Sequence, residues 1–187
     1  MTSPPMGAGQ ALVVGLGSPD RGDDAVGPTV ARRIATLRLT GTQVVEREDP
    51  TSLIALWDGR DLAIVVDAVY SNGVPGTLMI MESGVGGAPL TDDAWTRTGR
   101  GGTHAFGLAA AVELSRALHR LPRRLVLIGI EAAGLEHGEP LSAPVSAAAE
   151  RAVQAACEIL SEAGAATSHR NRGRGNGPAR VAQEVDR

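Results

Sequence analysis

The sequence has no lysine, a single cysteine and very few aromatic residues. All 18 basic residues of the 187-residue chain are arginine, and aromatic residues make up only 2%. The lone cysteine, Cys157, excludes an internal disulfide and the zinc sites that need several cysteines, which favours a reducing compartment. No apolar run approaches the roughly 20 residues that cross a bilayer, and residues 1–10 lack the features of a signal peptide. These absences predict a cytoplasmic protein with no membrane partner.

The scarcity of aromatic residues also limits the possible partners and the composition of the core. With a formal net charge of −3, it argues against a nucleic-acid groove that works by base stacking. The core must therefore consist of alanine, valine, leucine and isoleucine. The charge is uneven, because five arginines and only two acids follow Gly164. We expect a flexible N-terminus (1–10), a single α/β domain (11–163) and a disordered tail rich in arginine and glycine (164–187).

Strand and helix patterns alternate along the body of the chain. Short apolar runs predict strands at 11–16, 43–46, 62–66, 77–81 and 125–130. Helical spacing of apolar residues predicts helices at 26–37, 50–57, 104–119 and 142–163, and 84–102 is predicted to be a loop. This alternation predicts a three-layer α/β/α sandwich around a twisted, mainly parallel five-stranded sheet.

Three candidate site residues lie where such a sheet binds its ligands, beyond the carboxyl ends of its strands. Asp24 follows the first strand through the loop 17–24, Asp67 follows the third strand, and His104 begins a helix. Two carboxylates and one imidazole suit a divalent metal such as nickel, zinc, iron or manganese. Simpler roles remain open at this stage. Asp24 or its neighbour Asp23 can cap a helix, Asp67 can bind the amides of the next turn, and His104 can be a capping histidine.

The same loop argues against a nucleotide site. Gly15-Leu16-Gly17 after a strand looks like the start of a dinucleotide fingerprint, but Asp20 stands where its third glycine belongs. The acids of the loop would also repel a pyrophosphate at the helix terminus that has to receive it.

Three segments together resemble the hydrogenase maturation endopeptidases. They are residues 14–27 (VGLGSPDRGDDAVG), Asp67-Ala68, and residues 103–108 (THAFGL), in the family's order and at similar spacing. Two positions depart from the usual pattern, with Ser18 for asparagine and Ala25 for glycine, and neither is a ligand position. The resemblance implies an α/β/α fold and a protease that removes the C-terminal extension of a [NiFe] hydrogenase large-subunit precursor after nickel insertion.

The resemblance also assigns the site. Asp24, Asp67 and His104 match the family positions that contact nickel, and that nickel belongs to the substrate precursor, so no permanent metal is required. The metal can either polarise the scissile carbonyl, with Asp24 or Asp67 as general base, or only position the substrate. Arg21 is a candidate for holding the substrate's C-terminal segment. For Arg21 and Glu131 alike, a salt bridge on the rim of the site is the simpler expectation.

Two rival functions remain open on the sequence. A peptidyl-tRNA hydrolase has a similar strand-loop entry but needs a His-Asn pair where this chain has Asp23-Asp24. A non-catalytic module that checks nickel in a hydrogenase precursor would use the same three ligands, so only turnover distinguishes it from a protease.

Overall fold

The computed structural model describes residues 11–87, 90 and 103–173, without the side chains of 103–106 and 165–173. Its strands are β1 (Ala11–Leu16), β2 (Thr42–Arg47), β3 (Leu62–Val69), β4 (Leu78–Ser83) and β5 (Arg124–Glu131). Its α-helices are α1 (Val26–Thr36), α2 (Leu53–Leu56), α3 (Thr103–Ala117) and α4 (Ala143–Gly173), with 3-10 turns at Gly22–Ala25 and Pro50–Ser52. The predicted elements are thus present in the predicted order.

The five strands form one sheet in the order β2-β1-β3-β5-β4. β4 runs antiparallel to β5, and the other pairs are parallel. The three central strands, β1, β3 and β5, are almost wholly apolar because helices cover both faces of the sheet there. Alternate strand residues belong to two core clusters. The cluster that contains Ile64 packs against α1 and α4, and the cluster that contains Val65 packs against α2 and α3. The mainly parallel, three-layer prediction is confirmed.

Trp57 supplies much of the volume of the second core cluster. It is fully buried, and its indole N–H donates to the Ser115 hydroxyl over 3.0 Å. A buried tryptophan needs such a partner, because an unpaired indole N–H would lose its hydrogen bond to water. Small aliphatic side chains fill most of the remaining core, as the sequence predicts.

Two predicted ends are wrong. β3 does not end on Asp67 but continues to Val69, and Asp67 pairs in register with Gly129 of β5. An acidic side chain does not interrupt the backbone hydrogen bonds between strands. The strand therefore continues beyond the end of the apolar run. α4 continues beyond 163 to Gly173, so residues 164–173 are helical and the predicted tail begins too early. Residues 1–10 and 174–187, and most of the predicted loop 84–102, lie outside the described residues.

The start of α1 packs directly against the end of β1. A Cβ on Gly27 would lie 2.1 Å from the Leu16 carbonyl oxygen and 2.5 Å from that of Val66, so only glycine permits this approach. The loop 17–24 is consequently held over the carboxyl ends of β1 and β3. Within the described part of the chain, none of the helices has the length and apolar character needed to cross a membrane.

Candidate active site

Asp67 is a buried carboxylic acid on β3, the central strand of the sheet. It lies on β3, which β1 and β5 flank, and its exposed fraction is 1%. Both of its carboxyl oxygens are buried and have no hydrogen-bond partner among the residues that the structure describes. Buried polar atoms are nearly always paired, so the two oxygens of Asp67 are an exception that needs a physical explanation.

Burial controls the protonation of Asp67. Removal from water raises the pKa of its carboxyl well above the ordinary value of 3.8, and the nearby Asp24 carboxylate raises it further. The amide of Ala68 opposes this shift of the pKa, although it does not reach hydrogen-bonding geometry with either oxygen. A cation placed here would reverse the effect, because it stabilises the ionised form.

Asp24 belongs to the 3-10 turn that joins β1 to α1. It is 5% exposed, and its Oδ2 accepts a hydrogen bond from the Ser18 N–H over 3.0 Å. Gly17 (φ +124°) is essential to this packing, because a Cβ there would lie 2.1 Å from the Asp24 carbonyl oxygen. Asp24 lies near enough to Asp67 to help raise the pKa of its carboxyl, and the role of the two residues as one site stays a prediction.

Capping of a helix by Asp23 or Asp24 was one of the roles that the sequence left open. The N-cap residues of the 3-10 turn and of α1 are Arg21 and Ala25, and neither has a side-chain cap hydrogen bond. Asp23 instead turns away and accepts hydrogen bonds from the backbone of Ala133 and Ser142, in the loop between β5 and α4. The sequence pattern could not distinguish these uses, because a capping carboxylate and a cross-loop carboxylate occupy the same position before a helix.

Glu131 is not on the rim. It is 1% exposed at the end of β5, and it accepts hydrogen bonds from the Ser71 N–H, the Gly73 N–H and the Ser71 hydroxyl over 2.7–2.8 Å. It therefore organises the turn that follows β3. The sequence already indicated that Glu131 is buried, because this acid ends a strongly apolar run, just as Asp67 follows the apolar run 62–66. Arg21 donates its Nε–H to the Leu135 carbonyl over 3.1 Å, and its expected salt bridge stays a prediction.

His104 lies in the first turn of α3, which begins at Thr103. Its side chain lies outside the described residues, so the position of the predicted third ligand stays a prediction. Among the side chains that are described, no three histidines, cysteines or acids gather closely enough to hold a metal ion. The two carboxylates of Asp24 and Asp67 are thus the part of the predicted set that the structure brings together.

Comparison with known proteins decides the family. The profile named HycI, hydrogenase maturation protease, matches residues 48–159, more than half of the chain. The chain belongs to the hydrogenase maturation protease family. It is 27% identical over 157 residues to the hydrogenase 2 maturation protease of Escherichia coli, covering 82% of this chain and 92% of that protein.

A second relative agrees with this assignment, and a solved structure has the same fold. The hydrogenase expression/formation protein HupD of Bradyrhizobium diazoefficiens is 28% identical over 137 residues, covering 72% of this chain and 67% of that protein. The hydrogenase maturating endopeptidase HybD of E. coli has the same fold, with a TM-score of 0.68 at 24% identity over 83% of this chain and 94% of that one. This hydrogenase maturation protease is therefore a peptidase, and the peptidyl-tRNA hydrolase alternative is not supported.

A cleft opens beside the Asp24 turn of the protease. Its volume is about 410 Å³, and it lies at the carboxyl ends of β1 and β2. Gly17 and Pro19 form one wall, and residues 46–49 with Ser52 form the other. Because Gly17 also packs against Asp24, the cleft and the two carboxylates share one loop.

Proposed function

We propose that this protease removes the C-terminal extension of a [NiFe] hydrogenase large-subunit precursor after nickel insertion, and that it recognises the nickel on the precursor. The observation that carries the proposal is the Asp67 carboxyl, whose two buried oxygens lack a hydrogen-bond partner among the described residues. A divalent cation bound at this position would pair with the buried carboxylate. The name of the E. coli hydrogenase 2 maturation protease indicates the class of substrate.

Asp24, Asp67 and His104 are the proposed nickel contacts. Asp67 supplies a carboxylate from the sheet, Asp24 supplies a second from the turn above it, and His104 supplies an imidazole from the first turn of α3. Three protein ligands leave coordination positions for the precursor's own groups. The nickel arrives as part of the substrate, so the proposal requires no permanent metal in the free protease.

The local chemistry follows from the low polarity around Asp67. Without a cation its carboxyl holds a proton to a higher pH than an exposed aspartate, because burial raises its pKa. Nickel binding releases that proton and leaves a carboxylate that can ligate the metal. Nickel then either polarises the scissile carbonyl while Asp24 or Asp67 takes a proton from the attacking water, or holds the peptide in place for that water.

The cleft beside Asp24 is the proposed path of the precursor chain. The extension would run between Gly17 and Pro19 on one side and residues 46–49 on the other. The scissile bond would then lie near the loop 17–24, which carries Asp24. Arg21 remains the candidate for holding the C-terminal segment, with its Nε already fixed by the Leu135 carbonyl. Processing in the cytoplasm fits a chain whose Cys157 is a free thiol.

The proposal is tested by mixing the protease with nickel-loaded and nickel-free precursor and measuring the intact mass of the large subunit. Loss of a C-terminal fragment from the loaded sample alone is the expected result. Binding to the loaded precursor with unchanged mass would instead support the non-catalytic nickel-checking module. Cleavage of both precursors at equal rates would overturn nickel recognition.

A further inference from the structure

Asp23 is a buried carboxylate that the proposed chemistry does not use. Its exposed fraction is 1%, and its two oxygens accept four hydrogen bonds. Oδ2 accepts from the Ala133 N–H at 2.8 Å, the Gly134 N–H at 3.3 Å and the Ser142 hydroxyl at 2.9 Å. Oδ1 accepts from the Ser142 N–H at 2.6 Å. Every donor belongs to the loop 132–142, between β5 and α4.

The main chain around Asp23 is joined to the same loop. The Asp23 N–H donates to the Gly134 carbonyl at 3.1 Å, and the Gly22 N–H donates to the Glu139 carbonyl at 3.1 Å. In the other direction, the Gly138 N–H donates to the Asp20 carbonyl at 2.8 Å. The 3-10 turn is consequently held by both its backbone and one side chain, and the loop 132–142 acts as its outer support.

Asp24 is the next residue along the chain, and its backbone is confined on two sides. On one side Gly17 approaches so closely that a Cβ would lie 2.1 Å from the Asp24 carbonyl oxygen. On the other side Asp23 is tied to Ala133, Gly134 and Ser142. The direction of the Asp24 side chain follows from the backbone of this turn, so a change at Asp23 moves Asp24.

We propose that Asp23 is a positioning residue for the protease: its carboxylate ties the 3-10 turn to the loop 132–142 and so aims Asp24 at the metal-bearing substrate. The inference rests on the proposed function, because it assumes that Asp24 contacts the precursor's nickel. Asp23 itself touches neither substrate nor metal. Its effect on the reaction passes entirely through the placement of Asp24.

The substitution Asp23→Asn isolates this role, because it keeps the size of the side chain and removes two acceptor sites. The asparagine carbonyl can face either Ser142 N–H or the group of donors at Oδ2, but its NH2 group must then face the other donors. One buried donor set is left without an acceptor whichever way the amide is turned. The turn therefore shifts while the surrounding core stays intact.

Glu131→Gln is the matched control. Glu131 is also 1% exposed at the same edge of the sheet, and it accepts three hydrogen bonds from Ser71 and Gly73. It holds the turn after β3 and has no hydrogen bond to the 20–24 segment among those described. The two variants therefore lose similar buried interactions, and only one of them loses the support of Asp24.

The experiment is single-turnover processing of nickel-loaded precursor with the protease in excess, over a range of protease concentrations. The rate at saturation does not depend on the fraction of folded enzyme, whereas the concentration for half-saturation does. For Asp23→Asn we expect a saturating rate lower by about 10- to 100-fold, the usual effect of removing a group that orients a metal ligand. For Glu131→Gln we expect a saturating rate within about twofold of wild type and at most a change in half-saturation.

The outcomes separate the inference from the proposed function. Absence of processing by the wild-type protease would overturn the proposed function itself. Normal wild-type processing with a saturating rate of Asp23→Asn within twofold, or an equal fall in Glu131→Gln, would overturn the positioning role alone. If Asp23→Asn does not fold, Ser142→Ala removes one donor and keeps the carboxylate. We expect it to lower the saturating rate by about two- to fivefold, and an unchanged rate would count against the inference.

Discussion

Asp24 and Asp67 lie close enough for the charge of Asp24 to raise the pKa of Asp67. One comes from the turn after β1 and the other from β3, two strands that pair in parallel. Two neighbouring ionised acids in a water-poor site repel each other in the absence of a cation. Under the proposed function, the nickel that the precursor brings would supply that cation.

The first prediction concerns the stability of Asp67→Asn. The folded-state pKa of Asp67 lies above its unfolded value, so the folded protein binds the extra proton and its stability falls as pH rises from about 4. Asp67→Asn has no titrating group at this position. The free energy of unfolding of the variant should therefore increase relative to that of wild type as the pH rises. Thermal melts at pH 4 to 8 measure this difference, which corresponds to roughly 2–4 °C in melting temperature for each kcal/mol. A constant difference across this range would contradict the raised pKa.

The second prediction concerns the three proposed nickel contacts. Asp24→Ala, Asp67→Ala and His104→Ala should each lower processing of nickel-loaded precursor by about 100-fold or more, because each would remove a proposed ligand. Circular dichroism should show that each variant remains folded. His137→Ala is the control for the imidazole, since His137 is exposed in the loop before α4. Normal processing by His104→Ala would remove that residue from the ligand set.

The third prediction concerns Gly17. In Gly17→Ala the new methyl group would lie 2.1 Å from the Asp24 carbonyl oxygen and the residue would keep φ near +124°. We therefore expect lower stability and slower processing, because the turn that carries Asp24 must move. Gly59→Ala is the matched control, with φ +72° but no atom within 4 Å of the new Cβ. It should lose only about 1–2 kcal/mol of stability and process normally, and an equal loss of processing in both would contradict the account.

The fourth prediction concerns the end of the chain. A protein that stops after Gly164 keeps the core residues of α4 and should process the precursor at the wild-type rate. A protein that stops after Glu158 also loses Ile159 and Leu160, each 9% exposed in the core, and should melt well below wild type. Slow processing by the first protein with a normal melting temperature would show that the tail takes part in the reaction.

The fold class could be predicted from the sequence because its central strands are short apolar runs that alternate with helical patterns. The order β2-β1-β3-β5-β4 and the antiparallel direction of β4 were not predicted, because the alternation rule does not fix them. The sequence pattern did not predict that β3 ends at Val69, because Asp67 interrupts the apolar pattern without interrupting the backbone pairing. The end of α4 at Gly173 was not predicted either.

The candidate site was predictable in its position and only partly in its internal contacts. Asp24 and Asp67 were identified because both follow strands whose carboxyl ends meet. Asp23 and Glu131 were not recognised as the residues that hold the surrounding loops. Their partners, Ser142 and Ser71, are 119 and 60 residues away along the chain. A single sequence does not reveal which distant amide a carboxylate accepts from.

The most direct test of the account is the nickel K-edge absorption spectrum of the nickel-loaded precursor, alone and rapidly frozen with the protease before turnover. The account predicts that the wild-type protease adds oxygen or nitrogen neighbours at about 2.0–2.2 Å from the nickel, and that Asp67→Asn adds fewer. An unchanged nickel spectrum in a complex that goes on to cleave the precursor would contradict it, because the protease would then act without contacting the metal.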